Sequence, residues 1–188
     1  MSEVTIHTAE SAPEASRETL GVLERTIGFI PNLAGTIAQS PTALQGFVAM
    51  QSALRGSSRL SALEREVVGM TVSYANSSPY SMAAHSTFAV GAGAGEDVVG
   101  ALRSGAELPD ARLQALHAFT ASLLSDHGHV GDDDLAAFLA AGYSIESALE
   151  AIAQVAYTTL ANYVANLADT PIDDAFAANE WRADSVER

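Results

Sequence analysis

The segment ALEREVVGMTVSYANSSPYSMAAHSTFAVGAG, residues 62–93, decides the fold. Its first half, entered at Ser61, places Leu63, Val67, Met70 and Tyr74 on one stripe at helical spacing. Asn76 to Pro79 then forms a tight connection, with Pro79 at the start of a second run, where a missing N–H is tolerated. Gly91, Gly93 and Gly95 stop that run. Two antiparallel helices in a hairpin are therefore predicted, and GAGAGE, which has neither a preceding strand nor a lysine, reads as a helix stop.

The flanking sequence continues in the same idiom. Ser11 and Pro13 signal entry into a helix from Glu14 to Thr26, and Pro31 opens a short helix through Ile37. Ser40-Pro41 begins another helix with Leu44, Phe47, Val48 and Leu54, which RGSSRLS interrupts. Beyond the hairpin, EDVVGALRSG, a helix from near Pro109 to Gly128, and DDLAAFLAAG follow. SIESALEAIAQVAYTTLANYVANLAD closes the series, with Ile145, Leu149, Ile152, Ala156, Leu160, Tyr163 and Leu167 on a seam that serves either the subunit core or an oligomer interface. The fold class is all-α, with an extension at 1–12, one helical domain at 13–172 and a polar tail at 173–188.

Composition narrows the function classes. Of 188 residues, 48% are hydrophobic and 6% aromatic, which suits helices packed through small side chains. A net charge of -14 repels phosphate backbones and anionic lipid, so neither nucleic acid nor membrane is an expected partner. No apolar run approaches the ~20 residues that span a bilayer, and a cytoplasmic location is expected. The chain has no cysteine, which removes disulfides, thiolate metal sites and Cys nucleophiles together.

Two polar residues lie where apolar ones belong. At 100° per residue, Glu66 falls on the stripe of Leu63, Val67, Met70 and Tyr74, whereas Glu64 and Arg65 point elsewhere. On the next helix Ser78, Ser81, Met82, His85 and Ala89 share a face. Glu66 precedes Ser77 by eleven residues and His85 follows it by eight, so on antiparallel helices the two lie within ~4 to 5 Å of the same axial level. A buried carboxylate needs a donor, and His85 is its candidate partner. The pair reads either as a polar cluster holding the helices in register or as an acid/base relay ending at a hydroxyl of Ser78 or Ser81. No GxSxG elbow supports a serine hydrolase.

Glu66, with Ser78 twelve positions later, Ser81 three further on and His85 four after that, resembles the motif of the AhpD-like, carboxymuconolactone decarboxylase family. FIPNLAGTIAQSP and SALEREVV resemble its peroxidase-related branch, and the likeness runs from about Thr19 to Ile172. The resemblance implies an all-helical subunit that assembles as a dimer, trimer or hexamer, without a cofactor. It also implies a thiol peroxidase in which Ser81 stands for the attacking cysteine, Ser78 for the resolving one, and Glu66 and His85 relay the proton. Tyr80 stands where some members carry another histidine. Because a thiolate, not a hydroxyl, attacks a peroxide and forms a disulfide, this chain is expected to be inactive toward hydroperoxides. The serines represent either a replacement of cysteines or a natural loss, and Ser77, where many relatives carry Gly, favours natural loss. The alternatives are a cysteine-independent proton-transfer enzyme of the lactone decarboxylase type and a non-catalytic oligomeric binding protein. The small-molecule partner is accordingly a hydroperoxide or a lactone.

The other histidines suggest less. His117 shares a stripe with Leu113, Leu116, Thr120 and Leu124, as a core residue bonded to a carbonyl or as an interface residue. His127 and His129 flank Gly128 in an Asp-rich loop with no third ligand at fixed spacing, so no metal is expected.

Overall fold

The computed structural model describes residues 4–56 and 59–182. Nine α-helices and a 3₁₀ turn make up the regular structure of these residues: α1 Glu14–Ile27, α2 Asn32–Ile37, α3 Pro41–Gly56, α4 Ala62–Ala75, α5 Pro79–Gly91, α6 Glu96–Ser104, α7 Ala111–Ser125, α8 Asp132–Ala140, α9 Ile145–Ala168 and the 3₁₀ turn Asp174–Asn179. The helix ends follow local chemistry. Ser61 and Ser144 each close a capping box, Asp110 accepts from Leu113 N–H, and Gly28 and Gly105 terminate α1 and α6 in the left-handed region. Within the RGSSRLS break, Ser57 and Ser58 lie outside the described residues.

The hairpin is α4 and α5, and α4 is its buried member, in contact with α5, α6, α7 and α9. Because every side of α4 is covered, a single apolar stripe does not describe it. Tyr74, expected on the core face, is exposed, whereas Glu64, expected to point away, is buried. Arg112 on α7 meets the Glu64 carboxylate at 3.0 Å and stacks over Tyr143 at 4.0 Å. Burial pushes the Glu64 carboxyl up, but hydrogen bonds from Ser61 and Arg112 outweigh it and hold the group below the ordinary carboxylate value.

Two apolar clusters flank the hairpin. One joins Val67, Met70, Leu102, Leu116 and Phe138; the other joins Leu20, Leu44, Phe47, Ala83 and Tyr157. Helix α5 divides them, giving Met82 and Ala89 to the first and Tyr80, Ala83 and Ala84 to the second. A polar thread fixes the turn to α9: Asn162, fully buried, donates to Ser73 Oγ at 3.3 Å and accepts from Asn76 at 3.0 Å, while Asn166 donates to the Asn76 carbonyl.

The terminal segments are integrated into this body. His7 N–H donates to the Gly35 carbonyl, and Ala12 is buried. The segment read as a polar tail instead lies across α5 and α6 through residue 182. Phe176 and Trp181 are buried, Arg103 donates to the carbonyls of Asn179 and Glu180, and the Trp181 indole donates to the Arg103 carbonyl. The tail's net polarity concealed two apolar anchors among acidic residues. Among the described residues, no single helix is long and apolar enough to cross a membrane.

Candidate active site

Glu66 on α4 and His85 on α5 meet as the axial arithmetic requires, with His85 Nδ1 at 2.7 Å from Glu66 Oε2. A carboxylate only accepts, so Nδ1 carries the proton and donates, which leaves Nε2 free to take a proton from elsewhere. The imidazole lies close against the backbone of α4 at Gly69, where a Cβ would stand 2.6 Å from Nδ1 and Cε1. Gly69 is thus the third member of the arrangement. Glycine inside a helix costs about 1 kcal/mol relative to alanine; that unfavourable choice in mid-helix was the signal for a close approach.

His85 and Ser81 both border a cavity of about 300 Å³ between α1, α2, α3, α5 and α9. Its walls are apolar and aromatic: Phe29, Phe47, Tyr80, Phe88, Tyr157 and Phe176, from a chain with six Phe, five Tyr and one Trp. Phe176 packs edge-on against Phe88, Tyr80 and Phe29 at 5.4, 6.1 and 6.2 Å. Arg55, exposed, and Gln51 supply polar groups on the α3 side. A separate niche of about 40 Å³, bordered by Arg55, Arg65, Glu66 and Gln154, has room for a water beside the carboxylate.

The two serines occupy unequal positions. Ser81 borders the cavity; Ser78, at the N-cap of α5, is fully buried and does not. Neither hydroxyl has a hydrogen-bond partner. A buried hydroxyl without a partner costs about 1–3 kcal/mol, whereas a thiol forfeits little in the same place. Both positions therefore offer surroundings better suited to sulfur than to oxygen. Ser77, immediately before them, sits at φ 47°, in the left-handed region where glycine is least strained.

Tyr80 does not reach toward His85. Its hydroxyl donates to Asp173 Oδ2 at 2.6 Å and accepts from Leu33 N–H, and Asp173 also accepts from Asn32 N–H. Burial first, then Asp173, pushes the phenol far above its ordinary value. Tyr157 stacks on Phe47, accepts from Gln51 at 2.8 Å and is pushed up to about 12 chiefly by burial, so it lines the cavity as a neutral phenol. Arg55, Gln51 and Phe176 were not singled out in the sequence, because they come from segments far from the motif.

His117 lies outside the cavity. Its Nδ1 is 2.8 Å from Thr71 Oγ1, whose own proton goes to the Val67 carbonyl, so the imidazole donates to the hydroxyl. The partner is thus a side-chain hydroxyl and not a carbonyl. Burial holds its pKa below the ordinary histidine value. His127 and His129 lie in the α7–α8 connection, and no three His, Asp or Glu among the described residues gather as a metal site.

Residues 41–122, which contain Glu66, Ser78, Ser81 and His85, match the Carboxymuconolactone decarboxylase family model. Among solved structures, the chain is similar to the alkylhydroperoxidase AhpD core of an uncharacterized peroxidase-related protein from Ralstonia eutropha JMP134, with 24% identity, 92% of each chain covered and a TM-score of 0.80. A peroxidase-related protein from Silicibacter sp. TM1040 gives 22%, 87% of each chain and 0.75. A cysteine-to-alanine variant of the debrominase Bmp8, in complex with 2,3,4-tribromopyrrole, gives 20%, 94% of each chain and 0.76. No curated protein sequence matches the chain.

Proposed function

We propose that this chain, which by residues 41–122 and by its AhpD-like fold belongs to the carboxymuconolactone decarboxylase family, is a cysteine-independent proton-transfer enzyme acting on a small, largely apolar carbon acid of the lactone type. The observation that carries this reading is the 2.7 Å Glu66–His85 bond, whose imidazole borders an apolar cavity that has no thiol. A general base needs a free imidazole nitrogen, a group that holds the ring's tautomer, and a sheltered site. His85 Nε2, Glu66 and the aromatic walls fill these roles.

In the proposed step, His85 Nε2 removes the proton on the carbon next to a carbonyl; the C–H electron pair becomes a C–C π bond and the carbonyl π pair moves onto oxygen, giving an enolate. The imidazolium is held by Glu66. The Ser81 hydroxyl, which otherwise bonds nothing, donates to the enolate oxygen. Return of the proton to another carbon completes an isomerisation; where the carbon next to the carbonyl bears a carboxylate, departure of carbon dioxide in place of the proton gives the same enolate, and a proton delivered to that carbon from the His85 imidazolium completes a decarboxylation. Arg55 at the cavity edge suits a carboxylate on such a substrate.

Hydroperoxide reduction is not expected of the chain as it stands, because no group forms the sulfenic acid and the disulfide. The test has two arms. Proton exchange into D2O of a panel of lactones is followed by NMR with the unaltered chain, Glu66→Gln and His85→Gln; losses of about 10²- to 10⁴-fold are expected. Equal exchange in all three would overturn the proposal. In parallel, hydroperoxide consumption with a dithiol reductant is measured for the unaltered chain and for Ser78→Cys/Ser81→Cys. Turnover is expected only from the double variant, and turnover by the unaltered chain would refute the thiol requirement.

A further inference from the structure

Helix α9 spans 24 residues, and its inner face packs on α2, α3, α4, α5 and α7. Its outer face carries Ile145, Leu149, Ile152, Tyr163 and Leu167 at 55, 63, 45, 62 and 80% exposure. With Ala156, exposed, and Leu160, half-buried, they fall within about 80° of arc and run for about 33 Å along the helix. Exposed apolar residues scattered singly need no explanation, but a continuous strip along the longest helix does.

The spacing of the strip fits a second copy of itself. Ile152 and Leu160 lie four residues on either side of Ala156, Leu149 and Tyr163 seven, and Ile145 and Leu167 eleven. The strip therefore reads the same in both directions. A two-fold axis through Ala156 would set Ile152 against Leu160, Leu149 against Tyr163 and Ile145 against Leu167 of a second α9 running the other way. This is the self-complementarity an isologous interface requires. The smallest side chain stands at the crossing point, where two helices approach most closely.

Charge selects the same arrangement. Each copy carries -14, which disfavours approach through faces that bear carboxylates, and the strip has none. The charged residues of α9 are Glu146 and Glu150, both in its N-terminal part. Glu146 pairs with Arg59 at 2.9 Å, and Glu150 accepts from the backbone N–H of Arg59 and of Leu60. Antiparallel pairing separates the two Glu150 residues by about 18 Å along the axis, whereas parallel pairing would set them side by side. Beside the C-terminal half of the strip, α4, α7 and α9 enclose a concavity of about 550 Å³ bounded by Thr71, Leu124, Thr159 and Tyr163, into which the opposing Leu149 would reach.

We infer that the outer face of α9 is the site of self-association, and that it binds a second copy of this chain antiparallel about Ala156. The inference is independent of the proposed chemistry. The experiment uses the full chain, whose freedom from cysteine makes single cysteines clean reporters. Ala156→Cys is expected to form a disulfide-linked pair under mild oxidation. Ile145→Cys alone is not, but mixed with Leu167→Cys it is. Leu149→Lys and Tyr163→Glu, each alone, are expected to sediment as monomers with unchanged helicity, and their equimolar mixture to re-form a pair, because each lysine then faces a glutamate. A monomer for the unaltered chain up to its solubility limit would overturn the inference. So would self-linking of Ile145→Cys as complete as that of Ala156→Cys, association insensitive to Leu149→Lys and Tyr163→Glu, or a mixture that stays monomeric.

Discussion

At the residue scale, Gly69 sets the position of the His85 imidazole. Gly69→Ala adds a methyl group 2.6 Å from the ring, so the ring must move, and the bond to Glu66 moves with it. The same substitution gains about 1 kcal/mol of helix propensity, which offsets part of the steric cost. The expected outcome is a loss of proton exchange of at least about 10²-fold with a change in unfolding free energy below about 2 kcal/mol, read from exchange NMR and urea denaturation. Ser78→Cys/Ser81→Cys, kept reduced, is expected to be more stable than the unaltered chain by about 1–3 kcal/mol, because two buried hydroxyls without partners are removed. Ser77→Gly is expected to gain up to about 1 kcal/mol, since φ 47° strains serine more than glycine. His117 gives a pH signature. Its folded pKa lies below the ordinary value near 6.5, so the unfolded chain binds the proton more readily. The stability it contributes is complete above about 6.5 and declines as pH falls from there toward the folded value. Urea titrations at several pH values should show this decline, and His117→Gln should flatten it.

At the scale of elements, the segment after α9 closes the cavity. Asp173 joins three parts of the chain, accepting from Asn32 at the start of α2 and from Tyr80 on α5 while opening the 3₁₀ turn that carries Phe176. Tyr80→Phe removes the 2.6 Å bond to the carboxylate and leaves a buried charge with one donor fewer. A charge-assisted hydrogen bond contributes about 1.5–3 kcal/mol, and a loss of that size is expected on thermal or urea unfolding. Phe176→Ala is expected to weaken the binding of apolar ligands in the cavity while leaving the Glu66–His85 bond in place, a split readable by ligand titration alongside histidine NMR. Sequence alone did not reveal this element: acidic residues around Phe176 and Trp181 lower the local hydropathy, and single aromatic anchors produce no periodicity.

At the scale of the whole molecule, the negative charge opposes the pairing of α9 strips. Added salt screens that repulsion and leaves apolar contact intact, so the association constant is expected to rise from low to physiological ionic strength in sedimentation equilibrium. The helical hairpin, the helix order and the alignment of Glu66 with His85 were legible in the sequence, because each follows from a local period of 3.6 residues and the length of one turn. The burial of Glu64 and the exposure of Tyr74 were not, since a helix wrapped on all sides has no single inner stripe. The cavity was not legible either: its walls come from α1, α2, α3, α5, α9 and the segment after Ala168, and only the packing of distant segments brings Arg55, Phe176 and Ser81 to one space. Sequence by itself determined the elements and the pairing of Glu66 with His85, which follow from spacing along one hairpin. Tertiary structure decided which faces are covered and what the His85 imidazole borders, because burial and enclosure depend on residues remote in sequence.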